Sequence, residues 1–190
     1  GTMSEHVGGS LSGEDVQRFS ADPVAFFRAN LASVVERIAR ACLRAGRERT
    51  SVRLLPITKT VPAPILRLAY EAGIHAFGEN KIQEAMSKRE ALADLAIDWS
   101  IVGHLQTNKV KYLTQFAREF HALDSLRLAD LLNARLERED RFLDVFVQVN
   151  TSGGVSAAIN PVLNVGFDLT DGVPSLDPAH TGLDIGFVIG

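Results

Sequence analysis

Short apolar segments alternate along this chain with segments of helical periodicity, and that alternation limits the fold more than any other feature. Residues 52–58, 74–78, 99–102, 119–123 and 143–149 read as strands, the last most clearly. Residues 63–72, 81–95, 108–117 and 126–138 read as helices, with Gly73 closing the first of them. A strand, a helix and a strand in repeating order produce a parallel sheet with helices outside it. Two architectures satisfy this pattern, an open doubly wound sheet and a closed (β/α)8 barrel. No G-x-G-x-x-G follows the first strand, so a dinucleotide fold has no positive support. Pro56 sits awkwardly in the first strand and predicts an irregular end there.

A longer helix precedes the alternation. Asp22 and Pro23 form a start signal, and Gly46 a stop. Val24, Phe27, Leu31, Val34, Ile38, Ala41 and Ala45 recur at three and four residues between them, which predicts an apolar stripe. Residues 1–20, rich in Gly and Ser, read as a disordered tail. Gly1 and Thr2 before Met3 read as the scar of a removed tag.

Composition narrows the function. The formal net charge is −3, which argues against a general nucleic-acid binder. No stretch reaches the roughly 20 apolar residues that span a membrane, and the N-terminus has no apolar signal core. A cytoplasmic location without membrane contact is therefore expected. One cysteine, Cys42, lies at helical spacing from apolar neighbours and reads as a buried structural thiol, not part of a disulfide or a metal site. All 20 Lys and Arg lie at or before Arg141; residues 142–190 carry five aspartates and no basic group.

In either architecture the chemistry sits beyond the C-terminal ends of the strands. Those positions hold Thr58-Lys59-Thr60, Gly78-Glu79-Asn80-Lys81, Gly103-His104-Leu105-Gln106-Thr107-Asn108-Lys109, Asp124-Ser125 and Asn150-Thr151-Ser152. Lys59 directly follows an apolar strand. It is either an edge lysine with its head in solvent or a partly desolvated amine, and a neutral amine attacks an aldehyde to form a Schiff base. Asn80 either binds a ligand oxygen or caps the following helix. His104 either donates to a ligand or is structural. Asp124-Ser125 reads first as a helix cap, Asn150-Thr151-Ser152 equally as a turn or a ligand rim, and Trp99 as core.

Taken in order, Ile57-Thr58-Lys59-Thr60, Phe77-Gly78-Glu79-Asn80-Lys81-Ile82-Gln83-Glu84, Trp99 through Lys109, His121-Ala122-Leu123-Asp124-Ser125 and Val147-Gln148-Val149-Asn150-Thr151-Ser152 resemble the pyridoxal-phosphate homeostasis family. The resemblance covers about residues 24–153. It implies an α/β fold of the (β/α)8 TIM-barrel type, akin to the N-terminal barrel of alanine racemase. It implies that residues 21–153 bind pyridoxal 5'-phosphate (PLP), held as a Schiff base on Lys59 with Asn80, His104 and Asn150 nearby. The function implied is PLP homeostasis or cofactor delivery without established turnover, by a monomer or weak dimer that passes PLP to PLP-dependent apo-enzymes. The alternatives are a PLP-dependent amino-acid racemase-like enzyme and a truncated family member with impaired cofactor binding; the first would need a second acid or base, and Tyr70 and Tyr112, both in helical segments, are not obvious candidates.

After Gly153 the resemblance ends. The family's next lysine and its phosphate-binding Gly-Met-Ser and Arg-x-Gly-Thr or Arg-x-Gly-Ser segments have no counterpart. Residues 154–190 form an atypical tail. Either a frameshift after about codon 153 produced it, or this is a short relative whose tail completes the same domain. Weaker cofactor retention is expected in both cases.

Overall fold

The computed structural model describes residues 10–148. They fall into two compact units, one of residues 10–54 with 61–74, the other of residues 55–60 with 75–148.

The first unit is helical. Ser12 accepts a hydrogen bond from Asp15 N at 3.1 Å and starts helix α1, Gly13–Phe19. Glu14 and Asp15 lie in its first turn, where negative charge favours a helix N-terminus. The tail expected to be disordered through residue 20 is thus corrected over this stretch. Asp22 caps helix α2, Pro23–Ala45, through Ala25 N at 3.2 Å, and Gly46 closes it with a left-handed φ of 65°. The buried side of α2 runs through Leu31, Val35, Ile38 and Cys42, whereas Val34, Ala41 and Ala45 are exposed. Cys42 is buried, as its neighbours suggested. Helix α3, Ala63–Glu71, packs on α2. Gly73, at φ 104°, turns the chain out of α3 beside Leu31.

The second unit is a parallel sheet with helices. Its strands are β1 (Ala76–Glu79), β2 (Asp98–Ile101), β3 (Glu119–Leu123) and β4 (Asp144–Val147), in the spatial order β1-β2-β3-β4. Every neighbouring pair is parallel. Each connection advances one place in the same direction, which is how a barrel progresses; a doubly wound sheet reverses at a switch point. The order settles what periodicity left open: the fold is α/β of the barrel type, with four strands among the described residues.

The first expected strand is reduced to one bridge, Ile57 with Gly78. Thr58 N donates to Gly78 O and Gly78 N to Pro56 O, both at 2.8 Å. Pro56 has no N–H to extend the ladder, and a 3-10 turn occupies Arg49–Ser51 just before it. Helix α4, Ile82–Ala91, ends earlier than its apolar spacing suggested. Helix α5, Val110–Leu113, follows a 3-10 turn at Thr107–Lys109. Helix α6, Leu126–Glu139, is capped by Ser125, whose hydroxyl accepts from Leu128 N at 3.2 Å; exposed Asp124 takes no part in that cap.

Helices α4, α5 and α6 cover one face of the sheet. Ile82, Ala85, Leu113, Leu128 and Leu132 close there on Ile101, Phe120 and Ala122. Trp99, expected in the core, is buried with its ring 5.7 Å from that of Phe77. Among the described residues no helix is long and apolar enough to cross a membrane.

Truncating the fully buried Phe120 to Ala should cost about 3–5 kcal/mol in denaturant unfolding. Phe142, 93 % exposed, should cost less than about 0.5 kcal/mol when truncated in the same way.

Candidate functional site

The parallel sheet brings the C-terminal ends of its strands to one edge. At that edge β1 and β2 stay paired past their last residues, because Val102 N donates to Glu79 O at 2.9 Å. The chain then crosses itself. A Cβ on Gly103 would lie 2.3 Å from Asn80 O and 3.0 Å from the Asn80 carbonyl carbon, so only glycine fits. Asn80 and the residue before His104 are therefore in backbone contact. Asn80 is half-buried and His104 is exposed. Helix α4 has Lys81 as its N-cap and no side-chain cap, so the capping reading of Asn80 does not hold.

Lys59 is exposed, in the turn that follows the Ile57 bridge at the same end of the sheet. The next residue, Thr60, has φ 65°, a left-handed conformation that β-branched residues seldom adopt. Three of the four expected site residues thus lie on strand-end segments at one edge. Asn150 lies outside the described residues.

Beneath the Lys59 turn is a buried ionic cluster that the sequence reading did not single out. Glu79 is fully buried and Lys88 is 6 % exposed. The Lys88 ammonium donates to Glu79 Oε1 at 2.5 Å, to Glu84 Oε1 at 2.8 Å and to Thr58 O at 2.8 Å. Thr58 Oγ1 donates to Glu79 Oε1 at 3.0 Å, and Thr60 N donates to Glu84 Oε1 at 2.9 Å. The other Glu79 oxygen, Oε2, is buried with no hydrogen-bonding partner. Removal from water raises the Glu79 pKa above its ordinary 4.5, and the hydrogen bonds from Lys88 and Thr58 only partly oppose this. Glu84 is shifted the other way, chiefly by its hydrogen bond from Lys88 and with help from Thr60 N–H. Of the two carboxylates, Glu84 is the more firmly ionised.

A second polar group lies on the opposite face of the sheet. Strand register pairs Gly78 with Ser100 and Ser100 with Glu119, while Ile101 and Phe120 pair on the helix-covered side. Ser100 Oγ donates to Glu119 Oε2 at 3.1 Å, His121 Nε2 lies 2.9 Å from the same oxygen, and the His121 ring meets Phe146 at 4.2 Å. Alternation along the strands places these residues on the face that a barrel turns inward.

The missed residues left signals. Lys88 falls on the helical stripe Ile82, Ala85, Leu92, where a charged residue is out of pattern. Ser100, Glu119 and His121 interrupt apolar strands on one alternating face. Strand ends alone had been taken as the place of chemistry.

A parallel sheet advancing in one direction, with a lysine and polar groups at its C-terminal edge, defines the β/α-barrel class. The chain belongs to the family of the alanine racemase N-terminal domain, whose family model matches residues 30–159. The resemblance read from the sequence also holds: the pyridoxal phosphate homeostasis protein of Aquifex aeolicus (strain VF5) is 44 % identical over 123 residues, covering 65 % of this chain and 54 % of that protein. Its counterpart in Pseudomonas aeruginosa is 39 % identical over 127 residues, covering 67 % and 55 %. The solved structure of PipY of Synechococcus elongatus PCC7942 with PLP bound matches with a TM-score of 0.53 at 35 % identity, over 62 % of this chain and 55 % of that one. The chain spans about half the length of the curated relatives it matches.

The two carboxylates give opposite pH signatures. With its pKa lowered, Glu84 contributes stability that is present above pH 4.5 and lost as the pH falls through its folded value. With its pKa raised, Glu79 contributes stability that is full below 4.5 and lost as the pH rises through its folded value. Glu84→Gln should therefore be destabilising at pH 7 and progressively less so in acid. Glu79→Gln should compare more favourably with wild type at pH 7 than at pH 4. Denaturant melts across that range measure both.

Proposed function

We propose that this chain binds pyridoxal 5'-phosphate with the Lys59 amine as the attachment point for the cofactor's aldehyde, and that it acts in PLP homeostasis or delivery. The observation that carries this reading is the place of Lys59: an accessible primary amine in a tight turn at the C-terminal edge of a parallel β/α sheet. The PLP-bound neighbour and the names of the relatives support it.

The residues present suit the aldehyde and ring end of the group. Lys59 supplies the nucleophilic amine, while Asn80 and His104 supply an amide and an imidazole on the adjoining strand-end segments. Asn150 is assigned to the same site by the family resemblance. For the phosphate end, the segments the family uses have no counterpart in the sequence. When bound, PLP supplies an electrophilic carbonyl and an electron-withdrawing ring. This chain's part is to present the amine, limit its motion and release the cofactor again. PLP-dependent apo-enzymes in the cytoplasm are the proposed recipients, and residues 21–153 the binding region.

Borohydride reduction of a mixture with PLP, followed by digestion and mass mapping, should place the pyridoxyl adduct on Lys59; Lys59→Ala should lose it. Label spread over surface lysines would count against the site. Dialysis should show PLP held at least about tenfold more weakly than by a full-length relative, a loss of about 1.4 kcal/mol. Equal retention would remove the phosphate segments from the account.

A further inference from the structure

We propose that Lys88 is a positioning residue for Lys59: seated between Glu79 and Glu84, it ties down the peptide groups on both sides of Lys59 and so fixes the direction in which that amine leaves the chain. The proposal deepens the reading of Lys59 as the cofactor's attachment point and rests on it.

A helix lysine ordinarily keeps its head in water. That of Lys88 is buried, and its three N–H donors meet three acceptors: Thr58 O, Glu79 Oε1 and Glu84 Oε1. Two of these lead to Lys59. The Thr58 carbonyl belongs to the peptide that enters Lys59, and Lys88 binds it directly at 2.8 Å. The Thr60 N–H belongs to the peptide that leaves Lys59. It is bound at 2.9 Å by Glu84 Oε1, the same oxygen that takes Lys88.

Both backbone rotations at Lys59 are thereby restrained by charged groups, whose hydrogen bonds are about twice as strong as neutral ones. Thr58 adds a third tether, its side chain on Glu79 and its N–H on Gly78 O. The left-handed φ of Thr60 persists because the bond to Glu84 holds it. Lys59 itself is exposed in the turn between these two held peptides. A cluster that served only as glue between α4 and β1 would need neither Thr58 O nor Thr60 N.

The test uses the full chain as wild type, Glu84→Gln and Lys88→Met. Two quantities are read: hydrogen exchange of the Thr60 amide against amides of β2 and β3, and the yield of reduced pyridoxyl adduct on Lys59. In both variants Thr60 exchange should rise about tenfold or more while the strand amides stay protected. The Lys59 adduct should fall about threefold or more at limiting PLP. Unchanged Thr60 exchange, or an unchanged adduct with faster exchange, overturns the proposal. Glu84 is partly exposed and Gln keeps its shape, so Glu84→Gln alone decides if Lys88→Met does not fold. If wild type forms no adduct on Lys59 while Thr60 responds, the cofactor reading fails and the clamp on the turn stands.

Discussion

The ammonium of Lys88 joins three segments that otherwise have little in common: the edge stretch through Thr58, strand β1 through Glu79, and helix α4 through Glu84. Without it the edge stretch would keep the Ile57–Gly78 bridge and the bonds of Thr58 Oγ1 and Thr60 N to the two glutamates, which would then lack their cation. Removing one partner of a buried ion pair costs about 3–5 kcal/mol, yet replacing the whole pair with apolar groups is often neutral. Stability alone therefore does not account for this cluster. Its geometry does: two of its bonds end on the backbone on either side of Lys59, the proposed attachment point.

Two glycines allow the rest of the site to form. At Gly78 a Cβ would press on the flexible end of Ile57 at 2.7 Å, so the glycine eases the approach of the edge stretch to β1. At Gly103 the loop after β2 crosses the Asn80 backbone. The first glycine eases the lysine's segment onto the sheet, and the second brings the segments of Asn80 and His104 together. The polar inner face of Ser100 on β2 and of Glu119 and His121 on β3 is built from buried and half-buried groups that bond one another.

Where a local signal determined the outcome, the sequence was readable. Asp22, Gly46 and Ser125 mark helix ends by chemistry confined to a few residues, and each holds in the structure. The irregular end foreseen at Pro56 follows from its missing N–H. Long-range choices were harder. The stripe on α2 was placed slightly off its buried line, because Val34 and Val35, like Ala41 and Cys42, are equally apolar neighbours and only packing selects between them. Lys88 carries no local signal of its role, since its partners Thr58 and Glu79 lie on two other segments. Strand order, which separates a barrel from a doubly wound sheet, depends on pairing that periodicity does not encode. Lys59 and Asn80 were singled out because strand ends are where α/β folds place their sites, and the family resemblance sharpened that choice.

The proposed attachment is one bond, between the Lys59 amine and the aldehyde of pyridoxal 5'-phosphate. The most direct measurement is an absorbance titration of the full chain and of Lys59→Ala with the free cofactor. Wild type should show a saturable Schiff-base band at one equivalent per chain, and the variant only the spectrum of the free aldehyde. The same band in both proteins, or in neither, would contradict it.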